Sequence, residues 1–489
     1  MFLKDAEKND RKPFNGDKTL PENYYSIPGL LKQSKIFFIR DLLAKLANRQ
    51  YVMMSLLLAP FLAFLMSYFT KYKVDGEYIF SKNENLTSYL FTCIITTLFL
   101  GLIISAEEIV KDRKILKRES FLTLSWFSYL NSKVMIMFLI SVIQTISFIL
   151  IGNTLLEIKG MTFSYWLVLF STSCLANMIG LNISSAFNSV ITIYILIPVI
   201  IIPQLLFSGL FVKFDRLHQG RFTSSEFVPV IGDVMTVRWS FEALAVEQFK
   251  NNKYGKNFFR YNMEISQNEW YSSILITALK AELRECSVLK DSLPYRQKIN
   301  DDFYKLNYYL GKLNNLAGFG AIKGTWKDSL NVENFNSEIA KDALKYLDSL
   351  AGQFRRDRKL NVAKEDLATK SLEAGIGGLE ELIKLKNSYY NKQLEILVLD
   401  RMRVEQFIET NKRIIQKYEP GYMIPLSKYG RAQYYAPYKL IGDIKIDTYW
   451  FNLIVLWLAA MAWYAALYFN LLQKLVGFIE NVKIKNSEK

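Results

Sequence analysis

Hydrophobic and polar positions divide this chain sharply. Six stretches, 51–70, 87–106, 134–152, 163–186, 190–212 and 449–471, contain no Asp, Glu, Lys or Arg. A bilayer core of ~30 Å is crossed by ~20 apolar helical residues, so each stretch predicts a membrane span. A soluble helix would show a charged outer stripe, and none of the six has one. Before the first span, residues 28–49 place Leu30, Leu31, Ile36, Phe37, Ile39, Leu42, Leu43 and Leu46 on a broad helical stripe bordered by basic residues. That pattern predicts a helix lying in the membrane interface, the alternative being a polar start to span one. Between spans five and six, 253–440 is polar with helical spacing. Candidate helices are 268–290, 299–315, 334–355 and 379–417, the last carrying Leu379, Leu382, Leu385, Tyr389, Ile396 and Leu399 before Pro420. Gly375, Gly377 and Gly378 punctuate the chain just before it. The fold class expected is mainly α: a six-span helical membrane domain with an amphipathic connecting helix and a large helical insertion between spans five and six.

Charge orients this arrangement. Lys32, Lys35, Arg40, Lys45 and Arg49 precede span one; Lys111, Arg113, Lys114, Lys117, Arg118 and Lys133 separate spans two and three; Lys474, Lys483, Lys485 and Lys489 follow span six. The short loops on the other side hold only Lys71, Lys73, Lys82 and Lys159. Both termini are therefore expected in the cytoplasm and 253–440 outside it, since long loops translocate regardless of their charge. Residues 1–27 read as a polar cytoplasmic segment with no cleavable signal. The domain boundaries expected are 1–27, 28–49, 50–252, 253–440 and 441–489.

Composition narrows the function. At 489 residues with 51% hydrophobic and 22% charged, the chain is neither disordered nor one compact soluble core. Its net charge of +15 is concentrated at membrane flanks, and no nucleic-acid motif accompanies it, so no nucleic-acid partner is expected. A single histidine, His218, excludes multi-His metal sites; Cys93 and Cys174 sit within spans and Cys286 has no visible partner. No Walker-type phosphate loop, H-E-x-x-H, C-x-x-C or G-x-S-x-G occurs. The Glu380/Glu381 pair reads as a solvated helix face. No catalytic residue, metal or cofactor is assigned to the chain itself.

The loop SAEEIVKDRKILKRESFLTLSWFSYLNSK (105–133) mixes both signs, Glu107, Glu108, Asp112 and Glu119 being interleaved with Lys111, Arg113, Lys117 and Arg118, so that charges can pair along a helix. It reads as a solvated connector or as a docking helix for a soluble partner. At these residues the sequence resembles the membrane domain of ABC transporters of the G subfamily, the ABC-2-type exporter class. KDRKILKRES followed by SYLNSK is similar to that family's coupling helix, with Asp112, Glu119, Tyr129 and Lys133 at the family positions. FSGLF (207–211) resembles the close of the family's fifth span, and RWSFEALAVEQFKNN (238–252) the segment after its re-entrant outer helices. The long insertion resembles those of Bacteroidetes-type fused ATPase–permease proteins. Family members usually carry a nucleotide-binding domain at the N-terminus of the same chain. Here the resemblance implies a separate ATPase subunit, or a sequence that is a piece of a longer one.

The resemblance implies a bacterial inner-membrane permease, a homo- or heterodimer with P-loop ATPase domains that hold ATP and Mg. Coupling to the ATPase would fall to Glu108, Asp112, Arg118 and Glu119. The substrate path would run between Thr97, Leu98 and Gly101 of span two and Ile201, Ile202 and Leu205 of span five, with Leu210 and Phe211 as outer gate. Pro198 and Pro203 would bend span five there. Uncharged polar residues in the spans (Thr96, Thr97, Gln144, Asn177, Asn182, Ser184, Ser185 and Gln204) suit an amphipathic or lipid-like substrate, and equally suit hydrogen bonds between helices. The second function class is a mechanotransmission or signalling protein whose 253–440 domain acts on an envelope partner without transport.

Overall fold

The computed structural model describes residues 28–119, 125–217, 226–289, 293–319 and 326–487; the expected segment 1–27 and His218 lie outside these. Helix α1 (Leu30–Ala47) leads into α2 (Arg49–Thr70) through Asn48, whose extended backbone breaks the helix and whose side chain accepts from Tyr51 N at 3.1 Å. α1 buries Gln33 and Phe37 and leaves Leu30, Leu31, Ile36, Ile39, Leu43 and Leu46 exposed. An apolar stripe left open on a helix flanked by Lys and Arg suits the lipid interface.

Then follow α3 (Leu86–Ala106), α4 (Glu108–Glu119), α5 (Trp126–Leu155), α6 (Thr162–Ala186), α7 (Val190–Leu206), α8 (Val230–Val234) and α9 (Thr236–Lys250). Helices α2, α3, α5, α6 and α16 (Thr448–Tyr468) are long and apolar enough to cross a bilayer. The expected fifth span, 190–212, is shorter: α7 has 17 residues and stops at Leu206. Pro198 and Pro203 each remove a hydrogen bond inside it, and Gly209, at φ +84°, then turns the chain in a left-handed conformation.

Helix α6 is the hub, buried along almost its whole length between α3, α5 and α16. Its approach to α3 depends on missing side chains. A Cβ on Gly101 would lie 2.7 Å from the Ala176 Cβ, and one on Gly180 would collide with Ser105 Oγ and sit 3.0 Å from the Leu102 carbonyl. Small residues at a crossing let backbones approach where no hydrophobic effect drives helices together. The polar residues within the spans serve these crossings. Gln144 donates to the Ser55 carbonyl, Asn177 to Ser141 Oγ at 2.8 Å, and Asn182 to the Trp463 carbonyl at 2.8 Å.

The polar insertion does not form one body. Helix α10 (Phe259–Glu269) packs Phe259 and Met263 against the membrane bundle. Helices α11 (Ile276–Leu289), α12 (Arg296–Leu316) and α13 (Ser337–Ile376), with a π turn over Trp270–Leu275, build a second core around Trp270, Leu279, Phe303, Leu310, Phe335, Leu347 and Phe354. Asn336 caps α13 by accepting from Ile339 N at 2.9 Å, and Gly377, at φ +102°, ends it. Leu394, Val398, Leu399, Tyr422 and Tyr435 belong instead to the core of the membrane bundle.

The single helix expected over 379–417 is corrected. The chain forms α14 (Leu379–Tyr389) and α15 (Lys392–Val398), then an antiparallel pair, β1 (Phe407–Glu409) and β2 (Ile414–Gln416), with Phe407 opposite Gln416. Asn391 forces the break. Its side chain accepts from Leu394 N at the start of α15 and donates to the Phe80 and Asn83 carbonyls at 2.8 and 2.9 Å. A second hairpin, β3 (Tyr438–Ile441) with β4 (Ile444–Asp447), runs straight into α16, which Asp447 caps by accepting from Tyr449 N at 3.1 Å. Helix α17 (Leu471–Ser487) follows it.

Candidate functional site

Two charged networks stand out, one around α4 and the other on α9. The first is centred on Lys133, 3% exposed near the start of α5. Its ammonium reaches Asp112 Oδ2 at 2.8 Å, Asp41 Oδ1 at 2.9 Å and Glu108 Oε2 at 3.3 Å. Lys45 of α1 holds the other Glu108 oxygen at 2.5 Å, and Tyr129 donates to Asp112 at 3.0 Å. Glu108 and Asp112 are four residues apart, so one face of α4 presents both carboxylates. The start of α4 is pinned as well: Ile109 N and Val110 N donate to Ser184 Oγ at 3.0 Å, and Arg113 donates to the Ser185 carbonyl at 2.5 Å.

This geometry revises the pairing along α4 expected from sequence. Glu107 and Lys111 do pair within the helix. Glu108 and Asp112 instead face inward and tie α4 to α1 and α5. Arg118 is exposed, on a face shared with Lys111, Lys114 and Lys117. The Glu119 side chain lies outside the described residues. The helix thus has a locked acidic face and an open basic one. Contacts of about 3 Å tie the acidic side and the start of the helix to α1, α5 and α6.

The second network joins α9, β3 and α16. Lys439, fully buried, donates to Glu242 Oε2 and Asn452 Oδ1, both at 2.8 Å. Asn452 donates to Glu242 at 2.8 Å and to the Trp239 carbonyl at 2.9 Å. The Arg238 guanidinium lies 3.5 Å from Glu242 and 3.8 Å from the centroid of the Trp239 ring. Burial pulls the Lys439 amine down to about 7, assisted by the Arg238 charge. Glu242 stays below the usual carboxylate range because Arg238 and Lys439 outweigh its burial. Arg238 and Glu242 stand in the R-W-S-F-E run already visible in the sequence. Their partners Lys439 and Asn452, roughly two hundred residues on, carried no signal.

The residues placed on a path between the second and fifth spans do not all face one another. Thr97 and Gly101 lie on the buried side of α3, Thr97 lining a small void with Gln144 and Ser173, and Gly101 against Ala176. Leu98 is fully buried in the bundle core. On α7, Ile202 is exposed, while Ile201 and Leu205 pack partly against the core. The open face of α3 carries Ser88, Thr92 and Phe99 instead. The shift is angular: neighbouring helix positions differ by ~100°, so Leu98 and Phe99 look in different directions. Phe211 is exposed and edge-on to Phe91, and Leu210 borders a cavity shared with the insertion.

Three carboxylates in the insertion, Glu282, Asp302 and Glu409, have the spacing of a cation site. The Lys305 ammonium already occupies their centre at 2.6, 2.9 and 2.6 Å. Their chemistry is that of a buried ion cluster joining α11, α12 and β1.

Residues 32–249, from α1 to the last turn of α9, match the family described as ABC-2 type transporter. Both networks have most of their members inside that segment. With the apolar helices α2, α3, α5, α6 and α16, the match makes this chain an integral membrane protein and a permease component of a transporter. No curated protein matches the chain.

Proposed function

We propose that this ABC-2 type permease component works as a dimer driven by P-loop ATPase domains that dock on α4, and that it exports an amphipathic, lipid-like substrate. The observation that carries the reading is the two-faced α4. Its inward carboxylates Glu108 and Asp112 are fixed to Lys45 and Lys133, while Lys111, Lys114, Lys117 and Arg118 are exposed. A helix locked on one side and charged on the other suits transmission of a push from a soluble partner, and a mere connector has no need of the lock. The basic face calls for an acidic surface on the ATPase, which carries the ATP and Mg chemistry.

The substrate path in this reading runs between the exposed faces of α3 and α7 of two protomers, where Phe99, Val199 and Ile202 present apolar surface. The path contains no charged side chain, which favours an amphipath over an ion. The reading places α4 in the cytoplasm of a bacterial inner membrane, with the insertion on the opposite side.

Cross-linking tests the docking. A cysteine at Lys114, on the exposed face, should cross-link to a co-expressed P-loop ATPase, while one at Ser132, buried beside Lys133, should not. Equal cross-linking at both positions, or at neither, contradicts docking on this face.

A further inference from the structure

The hairpin β3–β4 and residues 428–430 form a small flap beside the start of α16. Gly430 N donates to the Leu440 carbonyl at 2.7 Å and Gly442 N to the Lys428 carbonyl at 2.8 Å, which brings Tyr429 opposite Ile441. Ile441 in turn faces Ile444 across the tight turn. Side chains opposite one another in a ladder share a face, and alternate residues of a strand return to it. One face of the flap therefore carries Tyr429, Ile441 and Ile444, with Lys439 and Ile446 nearer the helix. Lys428 and Lys445 stand on the other face, Lys445 over the Tyr438 ring and Lys428 paired with Asp443 of the turn at 2.5 Å.

The depth of this flap follows from α16. Its 21 residues span about 31 Å, the thickness of a bilayer's hydrocarbon core, so Thr448 marks the edge of that core. The flap does not stand clear above this edge. Lys439 reaches Asn452 at 2.8 Å, and a Cβ on Gly430 would lie 2.8 Å from the Phe451 ring. Residues 429–432 share a cleft with Phe451 and Val455, the latter about 10 Å along the helix from its start. At that depth Tyr429, Ile441 and Ile444 are 91, 51 and 67% exposed. Beside them begins the open apolar stripe of α16, formed by Trp450, Ile454, Leu458 and Met461.

We infer that the flap is a membrane anchor. Tyr429, Ile441 and Ile444 rest at the headgroup–acyl boundary of the leaflet in which α16 begins, while Lys428 and Lys445 turn toward the phosphates. The apolar face continues a stripe that already meets lipid, and its reverse side is basic, a pairing that fits a lipid surface. A tyrosine at the rim suits the same boundary, with its ring in apolar surroundings and its hydroxyl in water. The anchor rests on the membrane spans alone and needs neither an ATPase nor a transported substrate.

The test uses the full chain in phosphatidylcholine vesicles, with a nitroxide on one introduced cysteine; Cys93, Cys174 and Cys286 are buried and stay unlabelled. Collisions with oxygen, which concentrates in lipid, are compared with those of a water-soluble nickel chelate. The oxygen-to-nickel ratio should be several-fold higher at Tyr429→Cys, Ile441→Cys and Ile444→Cys than at Lys445→Cys. It should approach the ratio at Leu458→Cys, an exposed position in the middle of the span. Adding Ile441→Glu to Ile444→Cys should lower the ratio several-fold as the flap lifts from the surface. Equal ratios at 444 and 445 would place the hairpin in water and overturn the anchor. Low collision rates with both reagents, together with spin–spin broadening that vanishes on dilution with unlabelled chain, would show a second copy covering the face and overturn it too. A ratio at 444 that is indifferent to Ile441→Glu has the same consequence.

Discussion

Replacing Lys133 with methionine isolates the lock behind α4. The substitution keeps an unbranched side chain one atom shorter and removes one charge that serves three carboxylates. Without it, Asp41 retains only Lys45 at 3.9 Å, Asp112 retains the Tyr129 hydroxyl, and Glu108 retains Lys45. The site changes from three carboxylates against two ammonium groups to three against one, at positions less than a quarter exposed. Breaking a buried ion pair from one side costs ~3–5 kcal/mol, because the remaining charges stay buried without compensation. Lys133→Met should therefore lower the melting temperature of the purified chain more than any single change on the exposed face of α4. Adding Asp112→Asn restores the original excess of one negative charge and should recover ~1.5–3 kcal/mol of the loss, the scale of a charged hydrogen bond. Thermal melting of four proteins (wild type, both single variants and the double variant) gives the coupling directly. Additive losses, or a Lys133→Met protein that melts like wild type, would refute the claim that this network fixes α4 to the bundle.

Other outcomes follow from separate contacts. Gly180→Ala should disrupt folding by ~1–3 kcal/mol of overpacking, because its methyl meets Ser105 and the Leu102 carbonyl, whereas Gly311→Ala, inside α12 with open space around it, should stabilise by ~0.5–1 kcal/mol in the same melting assay. Asn391→Ala removes a helix cap and both hydrogen bonds to the 80–83 turn; limited proteolysis should then cut between α14 and α15 several-fold faster. Burial pushes the Glu282 carboxyl up to about 7 despite Lys305 beside it. Its folded form thus favours the proton, and the stability it confers is fully present below the ordinary carboxylate range and lost as pH rises toward 7. Hydrogen-exchange protection of 276–316 should fall between pH 5 and 8 in the wild type and change less in Glu282→Gln. A cysteine in α14 should react with an impermeant maleimide in intact cells; reaction only after permeabilisation contradicts the assigned orientation.

The sequence carried the membrane helices well because charge-free runs of bilayer length have few other physical uses. It also carried α1, since a basic-edged apolar stripe remains legible one helix at a time. What escaped depends on partners remote in the chain. The alternation of Leu379, Leu382, Leu385 and Tyr389 reads as helix and is helix, yet nothing local says that Asn391 will bind the turn at 80–83 and stop it. Glu108 and Lys111 look like an intrahelical pair until α1 and α5 bring Lys45 and Lys133 to Glu108. Gly101 and Leu205 seem aligned along a path only while the rotation of α3 about its axis is unknown. The α6 contacts at Ala176 and Ser173 set that rotation. The flap beside α16 sets Tyr429 opposite Ile441, a combination that no linear pattern encodes.

Transmission of ATP hydrolysis through α4 to the bundle is tested most directly by reconstitution. With the chain reconstituted in proteoliposomes beside the P-loop ATPase proposed to drive it, a lipid-like amphipath should stimulate hydrolysis. Arg118→Glu should abolish that stimulation while the variant's melting temperature stays unchanged, because Arg118 lies on the exposed face and outside the Lys133 network. Stimulation undiminished in Arg118→Glu would contradict transmission through α4.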